Sequence, residues 1–206
     1  FFMLPAILIV VLILPITGRL TDRVPPQFPI MGGLLVFAFG SLLLASADIN
    51  TSFWTFAFYT IIARFGMSFI TPALMSTALG ALPPDRLNQG SGTINFFRQL
   101  GGATGINSLV VVLEMRTQFH SEAYTMTQTA SNSSTRELLS NLESVLTESG
   151  VPASQASQIA IGHLGRMVEA QANTMGFQGG FLITGVVFIL ALIPAYILAR
   201  TTPSKK

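Results

Sequence analysis

The sequence predicts an all-α fold, a polytopic bundle of membrane-spanning helices. Three observations predict it. Half of the 206 residues are apolar and only 10% are charged, against about 25% charged in soluble globular domains. The few charges gather in short stretches, and the runs between them are nearly free of charge. Several of those runs approach the roughly 20 residues that a helix needs to cross a bilayer. Hydrocarbon offers no water to the backbone, so each run must satisfy its own polar groups, and helix is the expected state.

Five spans are expected, at about residues 1–17, 28–47, 53–79, 93–113 and 179–199. The first opens on Phe1-Phe2-Met3, already inside an apolar run. It has neither the basic leader nor the small-residue cleavage site of a signal peptide, so the chain is expected to be a fragment with residues missing upstream. The third span is interrupted only by Arg64 and Pro72, and the fourth carries Arg98 near its start. Prolines 15, 72 and 194 should kink their helices, because each removes a donor and crowds the preceding turn.

The connections set the orientation. Two arginines lie in Gly18-Arg19-Leu20-Thr21-Asp22-Arg23, one lies in Pro83-Pro84-Asp85-Arg86, and Arg200, Lys205 and Lys206 lie in the tail. Lys and Arg concentrate in cytoplasmic loops. These turns and the tail, residues 200–206, are therefore expected inside, and the uncharged-to-acidic turn 48–52 outside. Residues 114–178 then form an extracytoplasmic loop. Ser134-Thr135-Arg136-Glu137 reads there as a capping box with Ser134 as N-cap. Leu138, Leu139, Leu142, Val145 and Leu146 follow at helical spacing, and Gly150 and Pro152 close that helix. Ile159, Leu164, Met167, Val168 and Gln171 suggest a second amphipathic helix, so the loop is expected to hold a helical hairpin.

Composition also excludes function classes. The formal charge of +2 sits at helix ends and forms no patch, so no nucleic-acid partner is expected. The absence of cysteine removes disulfides, thiolate metal sites and Cys nucleophiles. His120 and His163 stand alone in the loop, and no metal site is expected. No nucleophile constellation or phosphate loop is visible, so the chain is not expected to be an enzyme. Its first partner is the lipid bilayer.

Three patches resemble the EmrB/QacA family, the fourteen-span drug:proton antiporters of the major facilitator superfamily. One is the turn Gly18 to Arg23, similar to the superfamily's Gly-x-x-x-Asp-Arg loop, although Val24-Pro25-Pro26-Gln27 follows in place of Gly and further basic residues. The second is Arg64-Phe65-Gly66 with Pro72 beyond it. The third and most specific is Asn95-Phe96-Phe97-Arg98-Gln99-Leu100-Gly101-Gly102-Ala103-Thr104-Gly105, similar to the family's penultimate span. The long outer loop before the last span also fits. The resemblance covers essentially the whole chain and identifies it as the carboxy-terminal portion, spans ten to fourteen. One departure stands out: the family often has an Asp just before the last span's Phe, where this chain has Gln178-Gly179-Gly180-Phe181.

The resemblance implies a proton-coupled exporter of apolar or amphipathic, drug-like small molecules, multi-pass in a bacterial inner membrane. It implies that Gly18, Asp22 and Arg23 form a conformational latch, since a carboxylate can bind the positive end of a neighbouring helix. Gly101, Gly102 and Gly105 would be a packing and hinge surface, because small residues let helix backbones approach. Arg64 and Arg98, the charges within spans, should face the bundle interior or a wet cavity, with the alternative that Arg98, near the cytoplasmic end, snorkels to the surface. Sixteen Phe and eight Met residues suit an adaptable apolar cavity, with Phe65, Met67, Thr71, Met75, Asn95, Phe96 and Gln99 as lining candidates. No Asp, Glu or His lies inside an expected span, and Arg does not give up its proton. The only cofactor-like species would be the coupling proton, its carboxylates expected in the missing amino-terminal half. That half and a periplasmic adaptor protein are the expected protein partners. Two other readings stay open: transport of one specific metabolite, and an inactive or scaffolding membrane fragment.

Overall fold

In the computed structural model, which describes residues 17–19, 24–129 and 131–201, the chain is helical almost throughout. Its helices are α1 (Gln27–Ala45), α2 (Phe53–Gly80), α3 (Leu87–Thr127), α4 (Ser133–Glu148), α5 (Ala153–Leu190) and α6 (Leu192–Thr201), with a short 3-10 turn at Pro84–Arg86. Among the described residues four stretches are long and apolar enough to cross a membrane: Gln27–Ala45, Phe53–Gly80, Pro84–Thr127 and Ala153–Arg200. This is the all-α membrane bundle that the composition predicts. The expected first span, most of the turn Gly18 to Arg23 and the end of the tail lie outside the described residues.

The chain divides into two compact units, Phe1–Val110 with Gln178–Lys206, and Val111–Phe177. In the first, α1 packs on α2 through a seam of small residues. Gly33, Gly40 and Gly66 are all buried, with Ala63 and Ala73 between the same helices. A Cβ on Gly40 would stand 2.6 Å from the Ala63 nitrogen, and one on Gly66 would stand 2.5 Å from the Phe37 nitrogen. Only a missing side chain allows backbones that close. Beside the seam, Ile30 and Leu34 meet Ile70, Ala73 and Ala195, with Phe188 and Leu192 packed against them. The Phe37 and Phe188 rings lie 4.0 Å apart, tilted by 32°. The turn between α1 and α2 is closed reciprocally. The Asp48 carboxylate accepts from the Asn50 amide and the Thr51 hydroxyl, and Thr51 Oγ1 accepts from the Asp48 amide.

The prolines act differently from one another. α2 continues through Pro72. Pro194 lies four residues past Leu190, where α5 ends, so the Leu190 carbonyl loses its helical donor. The last span is accordingly two helices separated at Ala191.

In the second unit the boundaries differ from the expected hairpin. α3 does not stop at Leu113 but runs to Thr127, and α5 begins at Ala153. Charged residues such as Glu114 and Arg116 end an apolar run without ending a helix, since Glu and Arg are good helix formers. The cap of α4 is also corrected. Asn132, not Ser134, is the N-cap, its side chain accepting from the Ser134 and Thr135 amides. Asn caps as well as Ser does, and two residues earlier it reaches both free amides. At the other end Gly150 has φ of +90°. The Gly150 amide donates to the Thr147 carbonyl and the Val151 amide to the Leu146 carbonyl, the Schellman arrangement that a left-handed glycine allows.

Candidate functional site

Arg64 lies midway along α2, and its neighbour Phe65 forms an edge-to-face pair with Phe69 at 5.0 Å between centroids. Across from them α1 presents Phe28, Gly32, Gly33 and Val36. The two phenylalanines of α2 and these α1 residues, with Val24 and Pro29, line an open pocket of about 320 Å³ with no polar side chain in its lining. The glycines make it: they remove side-chain volume from α1 opposite two phenyl rings. Aromatic rings and a volume of that order suit an apolar small-molecule group, since ligand sites typically run to about 300–1,000 Å³.

Of the expected cavity residues only Phe65 lines this pocket. Met67 and Thr71 are exposed on α2, the Thr71 hydroxyl donating to the Met67 carbonyl at 3.4 Å, and Met75 is half-buried. Asn95, Phe96 and Gln99 are exposed on α3, which has no buried residue along its length. Nothing among the described residues closes a cavity over them. Arg64 and Arg98 are both exposed, and among the described residues neither has an ion-pair partner. Gly101, Gly102 and Gly105 face open space: a Cβ on any of them would meet nothing within 4 Å. Gly18 is likewise open and sits in a helical stretch, while Asp22 and Arg23 lie outside the described residues.

Two features were not singled out from sequence, and a third, noted there as a departure from the family, gains a contact. The Gly33, Gly40 and Gly66 seam had a visible signal, because residues seven apart fall on one helix face. Phe28 and Phe69 had none beyond being aromatic. The third is Gln178, whose side-chain nitrogen donates to the Ala47 carbonyl at 2.7 Å. An amide can donate there and an ionised carboxylate cannot, which gives a physical role to the Gln where the resembling family often has Asp.

Comparison with known proteins bears on this site directly. The profile of the Major Facilitator Superfamily matches residues 1–106, which hold α1, α2, the pocket between them and the Asn95 to Gly105 patch. The chain belongs to the major facilitator superfamily. An uncharacterized MFS-type transporter, YhcA of Bacillus subtilis, is 23% identical over 204 residues, covering 98% of this chain and 38% of the relative. The multidrug transporter protein MdtP of Bacillus subtilis is 29% identical over 114 residues, 55% of this chain and 21% of that protein. The colistin resistance protein EmrB of Acinetobacter baumannii is 25% identical over 166 residues, 80% of this chain and 32% of that protein. The chain thus spans less than two fifths of the length of these relatives. No solved structure matches it. As a member of this superfamily the chain is a multi-pass membrane protein of transporter type, and its helices imply a lipid bilayer around it.

Proposed function

We propose that this chain is the carboxy-terminal part of a proton-coupled multidrug efflux transporter that exports apolar and amphipathic compounds across a bacterial plasma membrane. The observation that carries the reading is the wholly apolar, Phe-lined pocket between α1 and α2, with Arg64, which has no ion-pair partner among the described residues, next to Phe65 in sequence on the same span. A pocket with no polar lining selects by bulk and hydrophobicity, which suits varied ligands. The names of MdtP and EmrB, a multidrug transporter and a colistin resistance protein, favour drugs over a single metabolite.

The proposed topology keeps the turns at Gly18 to Arg23 and Pro83 to Arg86 inside with the tail, and the unit Val111–Phe177 outside. Trp54, 74% exposed at the start of α2, and Tyr196, with Arg200 stacked 4.8 Å from its ring centroid, sit where aromatic anchors meet a membrane interface. In this reading the remainder of the transporter supplies three things. It covers the exposed face of α3 with Gly101, Gly102 and Gly105, it receives the Asp22 latch, and it carries the carboxylates that take the coupling proton. A periplasmic adaptor is the further partner proposed for the outer unit.

The test is transport by the full-length protein in proteoliposomes under an imposed proton gradient. Accumulation of several unrelated lipophilic dyes, abolished when the gradient is collapsed, is the expected result. Transport of one metabolite alone, or dye transport indifferent to the gradient, would overturn the reading.

A further inference from the structure

From Gln178 onward the last span lies along α1 in one antiparallel register. At one end the Gln178 side-chain nitrogen donates to the Ala47 carbonyl at 2.7 Å. Seven residues further along α5, a Cβ on Gly185 would stand 3.2 Å from Leu42 Cδ2 and 3.4 Å from the Ala38 carbonyl oxygen. The ring of Phe188, ten residues past Gln178, lies against that of Phe37, ten residues before Ala47. Ala195 then joins the buried cluster of Ile30 and Leu34. Each step along the last span is matched by an equal step back along α1. The match continues across the break at Ala191, so helix continuity does not set it.

The contacts beyond Gln178 are apolar, and apolar burial is non-directional. A slip of one helical turn would trade one such contact for another. A hydrogen bond is directional and short-ranged, so the Gln178 contact distinguishes one register from its neighbours. Its acceptor suits the role. Ala47 lies two residues beyond the end of α1 at Ala45, so its carbonyl has no helical donor. The bonds among Asp48, Asn50 and Thr51 hold the same turn in place. Gln178 is itself half-buried, where an unmade hydrogen bond is costly.

The donor carries no charge. Asp48 follows the acceptor directly, its carboxylate held by the Asn50 amide and the Thr51 hydroxyl. On α3, Glu114 and Arg116 lie between Leu113 and Thr117, which meet Gly176 two residues before Gln178. On α5 itself Glu169 is the nearest charged residue. A carboxamide does not titrate, so its donor survives whatever protonation these groups adopt.

We propose that Gln178 is a proton-indifferent pin, a positioning residue whose uncharged carboxamide fixes the register of the last span on α1 and holds it equally at low and high pH. The pin operates whether or not the protein exports drugs.

The test is hydrogen exchange, read by mass spectrometry, on the full-length protein in phosphatidylcholine nanodiscs. Gln178→Glu keeps the shape of the side chain and makes the donor depend on a proton. The acid donates to Ala47 while protonated and cannot once ionised. Its folded-state pKa then lies above the roughly 4.3 of a free Glu, so the bond is present at low pH and lost as pH rises through that raised value. Each variant is compared with wild type at the same pH, which cancels the intrinsic pH dependence of exchange. At about pH 8 peptides covering residues 45–52 and 178–188 should exchange severalfold faster in Gln178→Glu than in wild type, and at about pH 4.5 the two should match. Gln178→Met, of similar length without a donor, should exchange faster than wild type at both. Wild-type exchange in Gln178→Met would overturn the proposal, and so would a Gln178→Glu variant that is equally protected, or equally loosened, at the two pH values. Exchange is read without transport, so the outcome is separate from that of the efflux assay.

Discussion

Gly40→Ala should destabilise the bundle although it adds a single methyl group. The new Cβ would stand 2.6 Å from the Ala63 nitrogen, 2.7 Å from its Cα and 2.9 Å from its Cβ. Ordinary van der Waals contact begins at 3.4 Å, so α1 and α2 would have to separate by about 0.8 Å at that point. Two of the three obstructing atoms are backbone and cannot rotate aside. Interiors are close-packed, and overfilling them costs about 1–3 kcal/mol. Opposing this, alanine in place of a helical glycine is worth roughly 0.5–1 kcal/mol where it fits, so a net loss of about 1–2 kcal/mol is expected. The control is Gly32→Ala, one residue away, where a Cβ meets nothing within 4 Å. That variant should be neutral or slightly stabilising. Unfolding of the full-length protein by dodecyl sulfate in mixed micelles measures both. Equal stability of the two variants would refute the seam, because helix propensity is the same at both sites and only the packing differs.

Three further outcomes test orientation and site. Since the chain has no cysteine, Ser140→Cys and Ser157→Cys should react with an impermeant thiol reagent added outside, and Thr21→Cys and Ser204→Cys should not; the reverse labelling would invert the topology. Asp22→Asn should lower dye efflux severalfold without lowering the amount of protein in the membrane, whereas unchanged efflux at normal expression would reduce the turn to a topology signal. Arg64→Lys should impair efflux more than Arg98→Lys. Each lies eleven residues into its helix, so the difference rests on the proposed topology, in which the apolar run of α3 begins only near Thr93: lysine at 98 would then reach headgroups as well as arginine does, while Arg64 within its apolar run would need the planar guanidinium to serve several acceptors at once. If Arg98→Lys proves the more damaging in the same efflux assay, depth is not what distinguishes them.

Much of the fold was legible because apolar run length reports what a bilayer demands. The runs expected at 28–47 and 53–79 became α1 and α2 with ends moved by two residues or fewer. The failures have one physical source. Hydropathy marks where a segment stops being apolar, whereas a helix stops where its backbone bonding stops. Glu114 and Arg116 ended the first and not the second, so α3 continues to Thr127. The cap at Asn132 was hidden for a related reason: Ser134 and Glu137 match the capping-box spacing, but the amides to be satisfied belonged to a helix starting two residues earlier than that spacing implies, at Ser133. The pocket was only partly legible. Phe65 stood out beside an intramembrane arginine. Phe28 and Phe69 acquire meaning only when two helices face each other across glycines, which is information about a pair and not about either run.

The glycines separate into two kinds, and the separation is what the structure adds to the sequence. Gly33, Gly40 and Gly66 are buried where two backbones nearly touch, so their contribution is already complete within α1 and α2. Gly101, Gly102 and Gly105 lack a side chain in the same way, all within five positions of α3, yet their surroundings are empty. A helical glycine costs roughly 0.5–1 kcal/mol relative to alanine. On α1 and α2 that cost is offset by close packing. On α3 nothing among the described residues offsets it three times over within five positions. In the proposed transporter the offset comes from a helix of the remainder of the protein approaching that face, which is also where Asn95, Phe96 and Gln99 look for a partner. The absence of any buried residue on α3 and its uncompensated glycines have one explanation in that proposal: α3 would be shaped for a surface that the rest of the transporter supplies.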